Sequence, residues 1–123
     1  MDLNEYQERA MTTCMESSHN FSYMFINLVG EVGELASKVA KSIRKERLEI
    51  NENILQAKFA TFEETEELNK ALMLEAGDVL WQLSGLCSAM GWNLNEIAQM
   101  NLDKLSARKE IGTIDGNGDG IIR

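Results

Sequence analysis

The sequence predicts an all-α fold of four helices. Two observations predict it: apolar residues return at three- and four-residue spacings through four separate stretches, and none shows sustained strand alternation. A third is the punctuation, since Ser, Thr, Asn and Gly stand where each periodic stretch starts or stops. The 123 residues fit one domain. A composition of 44% hydrophobic and 26% charged residues is ordinary for a globular protein. A net charge of -8 argues against nucleic acid and anionic membrane as partners, since both attract basic surfaces. It leaves room for a polyphosphate held through bridging metal ions.

The first helix is expected over residues 3 to about 17, with Leu3, Tyr6, Ala10, Met11 and Cys14 on one stripe. Glu5 and Glu8 lie among polar neighbours and read as a solvated face. Ser17, Ser18, His19 and Asn20 break the pattern, and His19 reads as a loop residue. A long second helix follows, to about Arg47, on Phe21, Phe25, Leu28, Val32, Leu35, Val39 and Ile43. Its end is basic, with Lys41, Arg44, Lys45 and Arg47, which suits a helix C-terminus.

Residues 48 to about 60 have weak periodicity and read as a connection holding either a short helical turn or a brief hairpin. Thr61 with Glu64 forms a capping-box pattern that opens a third helix, to about Met90. Its acidic first turns, Glu63 to Glu67, read as solvated. Gly77 and Gly85 suggest close packing, and Gly91 ends the helix. Asn93 or Asn95 caps a fourth helix, to about Glu110. Residues 1–112 thus form the domain, and 113–123 a glycine-rich mobile tail. Asp115, Asn117 and Asp119 imitate the first half of a calcium loop, but no twelfth-position glutamate follows, so high-affinity calcium binding is not expected.

Cys14 and Cys87 have no metal-binding spacing and read as reduced core thiols. The first residues have neither a basic nor an apolar leader region, and no run is long enough for a membrane span. The expectation is a cytoplasmic protein with no membrane partner and no nucleic-acid partner.

Two acidic pairs carry the chemistry. Glu31 and Glu34 lie in Gly-Glu-Val-Gly-Glu, and Glu75 and Asp78 in Glu-Ala-Gly-Asp. Residues three apart project from one side of a helix. At about 100° per residue, Glu31 and Glu34 flank the apolar stripe of the second helix. Carboxylates in such places need a partner, because burying a lone one is costly. Lys38, one turn from Glu34, offers an ion pair but cannot neutralise four acids. Gly30 and Gly33 cost roughly 1 kcal/mol each in helix propensity, which suggests that another backbone or a ligand approaches there. Antiparallel packing of the two helices brings the four carboxylates together. Four hard oxygen donors suit Mg²⁺, or Mn²⁺ in its place. Such a cage commonly handles phosphates, for which Lys104 and Arg108 are sensible contacts; a basic last turn is their plainer reading.

This pattern resembles the MazG-type all-α nucleotide pyrophosphohydrolases, whose signature is Glu-x-x-Glu, a spacer, then Glu-x-x-Asp. Asn101, Lys104 and Arg108 also match that family's Asn-x-x-Lys-x-x-x-Arg segment, and the glycine-rich close resembles the tail of some members. The forty residues between Glu34 and Glu75 exceed the usual family spacer. The excess is assigned to the connection after Arg47 and to an elongated third helix.

The resemblance implies a four-helix bundle that forms a homodimer or homotetramer. It also implies Mg²⁺-dependent hydrolysis of an NTP or dNTP to the monophosphate and pyrophosphate, a nucleotide-pool housecleaning reaction. Glu31, Glu34, Glu75 and Asp78 carry over as metal ligands and catalytic acids. Lys104 and Arg108 would hold phosphates, with Asn101 and Lys38 as secondary contacts. Trp81 is a candidate for base stacking, against a plain core or subunit-interface role. The alternative is a non-enzymatic helical oligomer acting as an interaction or regulatory module.

Overall fold

The computed structural model describes residues 1–112, and the tail expected to be mobile lies outside the described residues. Four helices form: α1 (Leu3–Met11), α2 (Phe21–Arg44), α3 (Phe62–Met90) and α4 (Leu94–Glu110). A 3-10 turn, Glu16–Ser18, precedes α2, and a hairpin of β1 (Leu48–Asn51) and β2 (Ile54–Ala57) separates α2 from α3. The chain is mainly helical, as the periodicity requires.

Local chemistry sets each boundary. Asp2 caps α1 by accepting from the Glu5 N–H at 2.8 Å. The helix stops at Met11, short of residue 17, because two threonines follow. The Thr12 and Thr13 hydroxyls donate back to the Arg9 and Ala10 carbonyls, at 2.6 and 2.7 Å, and tighten the chain into a turn. Asn20 caps α2 through the Tyr23 N–H. That helix ends at Arg44 and not at Arg47, because Glu46 enters the left-handed region at φ 59°.

The connection is a hairpin. Its strands pair antiparallel, with Leu48 opposite Ala57 and Asn51 opposite Ile54. The two loop residues, Glu52 and Asn53, both have positive φ, 51° and 66°, as a type I′ turn demands. Arg47 anchors the hairpin to α3: it pairs with Glu64 at 2.7 Å and donates to the Phe59 carbonyl at 3.0 Å. The capping box of α3 forms with both hydrogen bonds, Glu64 N–H to Thr61 and Thr61 N–H to Glu64. Gly91 closes α3 at φ 73°.

The main packing is α2 against α3, with α1 on α3 and α4 on α1. Met24 of α2 is fully buried and lies against Gly85, where any Cβ would collide with its thioether. Gln82 donates to the Met24 sulfur and accepts from Asn27 at 3.0 Å. Gln7 ties α1 to the α3–α4 turn: its amide donates to Ser88 Oγ and the Trp92 carbonyl, and accepts from the Leu94 N–H. Only five apolar side chains are buried among the described residues: Met24, Leu48, Leu86, Cys87 and Leu94. Phe21, Phe25, Ile26, Val29 and Val32, by contrast, leave an apolar band on the outside of α2.

Candidate metal centre

The acidic pairs sit near the middles of the two longest helices, where α2 and α3 lie side by side. Glu31, Glu75 and Asp78 come together: one carboxylate oxygen of each lies within 4.8 Å of the other two. Glu31 and Glu75 are half-buried and Asp78 is exposed, so the group opens to solvent on one side. Glu34 is exposed and stands outside this trio. Helix geometry explains the difference: three steps of about 100° leave Glu34 about 60° around α2 from Glu31.

Electrostatics record the crowding. Burial, then the charges of Asp78, Glu75 and Glu34, push the Glu31 carboxyl above the ordinary glutamate range. The hydroxyl of Tyr6 on α1 is also pushed up, by burial first and by the Asp78 charge second. Tyr6, which its sequence marked only as part of an apolar stripe, thus feels the charge of Asp78. Among the described residues, Lys38 answers the acids directly: its Nζ lies 2.9 Å from Glu75 Oε1. The sequence offered Lys38 a partner one turn away in Glu34, yet the partner found lies across the helix pair.

Three hard oxygen donors converging from two rigid helices, open on one face, fit a small divalent cation that keeps coordination positions for water or substrate. A methyl group added at Gly33 or Gly77, the glycines inside the two acidic pairs, would meet nothing within 4 Å. They mark open surface beside the centre. Gly77 thus does not serve close packing, whereas Gly85 does.

These features agree with the comparison to known families. The family model for the MazG nucleotide pyrophosphohydrolase domain matches residues 20–112. The chain belongs to the MazG nucleotide pyrophosphohydrolase domain family. It is also 32% identical over 126 aligned residues to the Gene 37 protein of Mycobacterium phage L5, an alignment covering 97% of this chain and 98% of that protein. No solved structure matches.

Within this MazG domain, the long spacer resolves into the hairpin and the first turns of α3. Asn101, Lys104 and Arg108 lie along α4, whose main packing partner is α1 and not the α2–α3 pair. Asn101 is exposed, Lys104 half-buried and Arg108 buried at 7% exposure. The indole N–H of Trp81 donates to the Ala10 carbonyl at 3.1 Å and to Thr13 Oγ1 at 2.9 Å. It fastens α1 to α3. His19 is exposed in the turn before α2. Cys14 and Cys87 are free thiols, the first half-buried and the second buried. Among the described residues, no helix is long and apolar enough to cross a membrane.

Proposed function

We propose that this MazG-domain protein hydrolyses a nucleoside or deoxynucleoside triphosphate to the monophosphate and pyrophosphate, with Mg²⁺ as its cofactor and Mn²⁺ as a substitute. The observation that carries the reading is the trio of Glu31, Glu75 and Asp78 oxygens within 4.8 Å of one another. When bound there, the metal supplies positive charge against the phosphate oxygens as negative charge develops on them.

The remaining chemistry falls to the chain itself. Glu31, Glu75 and Asp78 hold the ion, with Glu34 as the fourth acid of the set. Glu34 stands apart from the trio and is exposed, which suits it to orient the attacking water and accept its proton. Water attacks the α-phosphorus, the bond from that phosphorus to the α–β bridging oxygen breaks, and pyrophosphate leaves. Lys104 and Arg108 hold the phosphates by charge-assisted hydrogen bonds, with Asn101 and Lys38 assisting. We assign Trp81 to packing, because its N–H is committed to α1.

The same reading includes a homodimer or homotetramer. Phe21, Phe25, Ile26, Val29 and Val32 are exposed along the N-terminal half of α2. A run of exposed apolar side chains on one helix marks an interaction surface. A second copy of the chain, packing helix on helix, is the occupant the family pattern supports.

The test is incubation with a panel of NTPs and dNTPs plus Mg²⁺, followed by measurement of monophosphate and pyrophosphate. Turnover that Glu34→Gln and Asp78→Asn each abolish is the expected result. Full activity in either variant refutes the site. The absence of metal-dependent turnover across the panel favours the non-enzymatic module instead.

A further inference from the structure

Lys38 occupies an unusual position for a surface lysine. Its stem leaves α2 seven residues after Glu31, so it returns to the same side of the helix two turns on. Its ammonium reaches across to α3 and rests 2.9 Å from Glu75 Oε1. Glu75 is the more enclosed partner, with its side chain 16% exposed against 46% for Lys38. The pair is therefore anchored at the carboxylate, while the lysine retains a free path to solvent.

This pairing has a direct electrostatic reason. Glu31, Glu75 and Asp78 place three acids in mutual reach, and their repulsion opposes the α2–α3 contact unless a cation intervenes. Among the described residues, Lys38 is the cation paired with the trio, through Glu75. Its Nζ lies on an atom of the very residue that a divalent ion would need. A divalent ion and an ammonium on one carboxylate repel each other. A lysine is suited to leave, since its flexible stem and single compact charge let it swing out where an arginine fork would hold on.

We propose that Lys38 is the resident counter-cation of the metal-free centre, and that metal binding displaces it from Glu75. The inference rests on the metal-binding reading of the trio. In the metal-free protein Lys38 holds α2 and α3 together through the acidic stretch. It thereby lowers the affinity of the centre for metal. Loading exchanges one internal cation for one external one, and the ammonium moves toward the open face beside Gly33 and Gly77.

The test compares the full chain with Lys38→Met, which keeps the stem length but removes the charge, and with Lys38→Gln as a second neutral variant should the first not fold. Lys41→Met, an exposed lysine one turn on along α2, controls for the general loss of positive charge. Mn²⁺ affinity is measured by calorimetry, and melting temperature is measured with and without Mn²⁺. Repulsion between a unit and a double charge about 6 Å apart is worth about tenfold in affinity even at the dielectric constant of water. Lys38→Met should therefore bind Mn²⁺ about tenfold tighter than the unmodified chain. Its metal-free form should melt lower, and its Mn²⁺-loaded form should melt with the loaded parent. Unchanged or weaker Mn²⁺ binding in the Lys38 variants overturns the inference and leaves the metal centre standing. So does an equal gain in Lys41→Met. Failure of the unmodified chain to bind Mn²⁺ at all overturns both the inference and the metal-binding reading.

Discussion

Neutralising Glu31 by Glu31→Gln should reverse the stability ranking of variant and parent when metal is added. Without metal, Glu31 stands among acids whose oxygens lie within 4.8 Å. Each like-charged pair at that separation costs about 1 kcal/mol in water-like screening and several times more in a protein-like dielectric. Asp78, Glu75 and, more weakly, Glu34 act on Glu31, and Lys38 offsets part of the Glu75 charge. The low-end relief on neutralisation is therefore about 1–2 kcal/mol. For a chain of this size, that corresponds to a rise of roughly 3–8 °C in melting temperature. With metal the sign changes. A ligand at one hundred times its dissociation constant stabilises by about 2.7 kcal/mol, and the variant has lost one of three ligands. Melting followed by circular dichroism at neutral pH, in chelator and then in saturating Mg²⁺, gives both rankings. The variant should melt higher in chelator and the parent higher in Mg²⁺. A variant that melts lower in chelator, or one that gains as much from Mg²⁺ as the parent, refutes the electrostatic account of the trio.

Two further perturbations test the frame that positions the centre. Gly85→Ala should destabilise by about 1–3 kcal/mol in urea unfolding, because the new methyl meets the fully buried Met24; an unchanged midpoint would show that Met24 has room to move. The second concerns Glu64, whose carboxyl is held below the usual range, first by its hydrogen bonds to Thr61 and then by Arg47. Its folded value lies below its unfolded one, so its contribution is present above the unfolded range near 4.5 and is lost as pH falls through the folded value. Glu64→Gln should remove that part of the acid sensitivity, and melting curves taken from neutral pH downward check it.

The helices were legible because their apolar spacing is long and their ends carry strong chemistry. Thr61 with Glu64 and the stop at Gly91 form as their sequence requires. The hairpin was one of two readings and could not be told from a helical turn, because each strand has only four residues and its turn uses Glu52 and Asn53, with no glycine to announce two positive-φ positions. The early end of α1 depended on threonine hydroxyls turning back onto its carbonyls, a competition that apolar spacing does not reveal. At the centre, spacing along a helix identified the acidic pairs but not the facing between helices. The register of α2 against α3 decides that Glu31 joins Glu75 and Asp78 and that Lys38 meets Glu75 instead of Glu34. The influence of Asp78 on Tyr6 was hidden for the same reason, since it depends on how α1 lies on α3.

The distribution of packing explains why the centre can respond to what binds it. On α2, the buried residues are Met24 and Ser42, near its two ends. On α3, they run from Gln82 to Cys87, toward its C-terminal end. The acidic segments, 31–38 and 75–78, fall outside these buried positions, and no side chain in either is fully buried. The same stretch holds like charges in mutual reach and two glycines facing open space. The buried residues of α2 and α3 set the register of the helices, while the acidic segments contribute no fully buried side chain to their contact. Free energy from a cation, or from a second copy covering Val29 and Val32, is therefore gained where the lone chain supplies least. A centre assembled this way is held in position by residues far from it and stabilised by its own ligands.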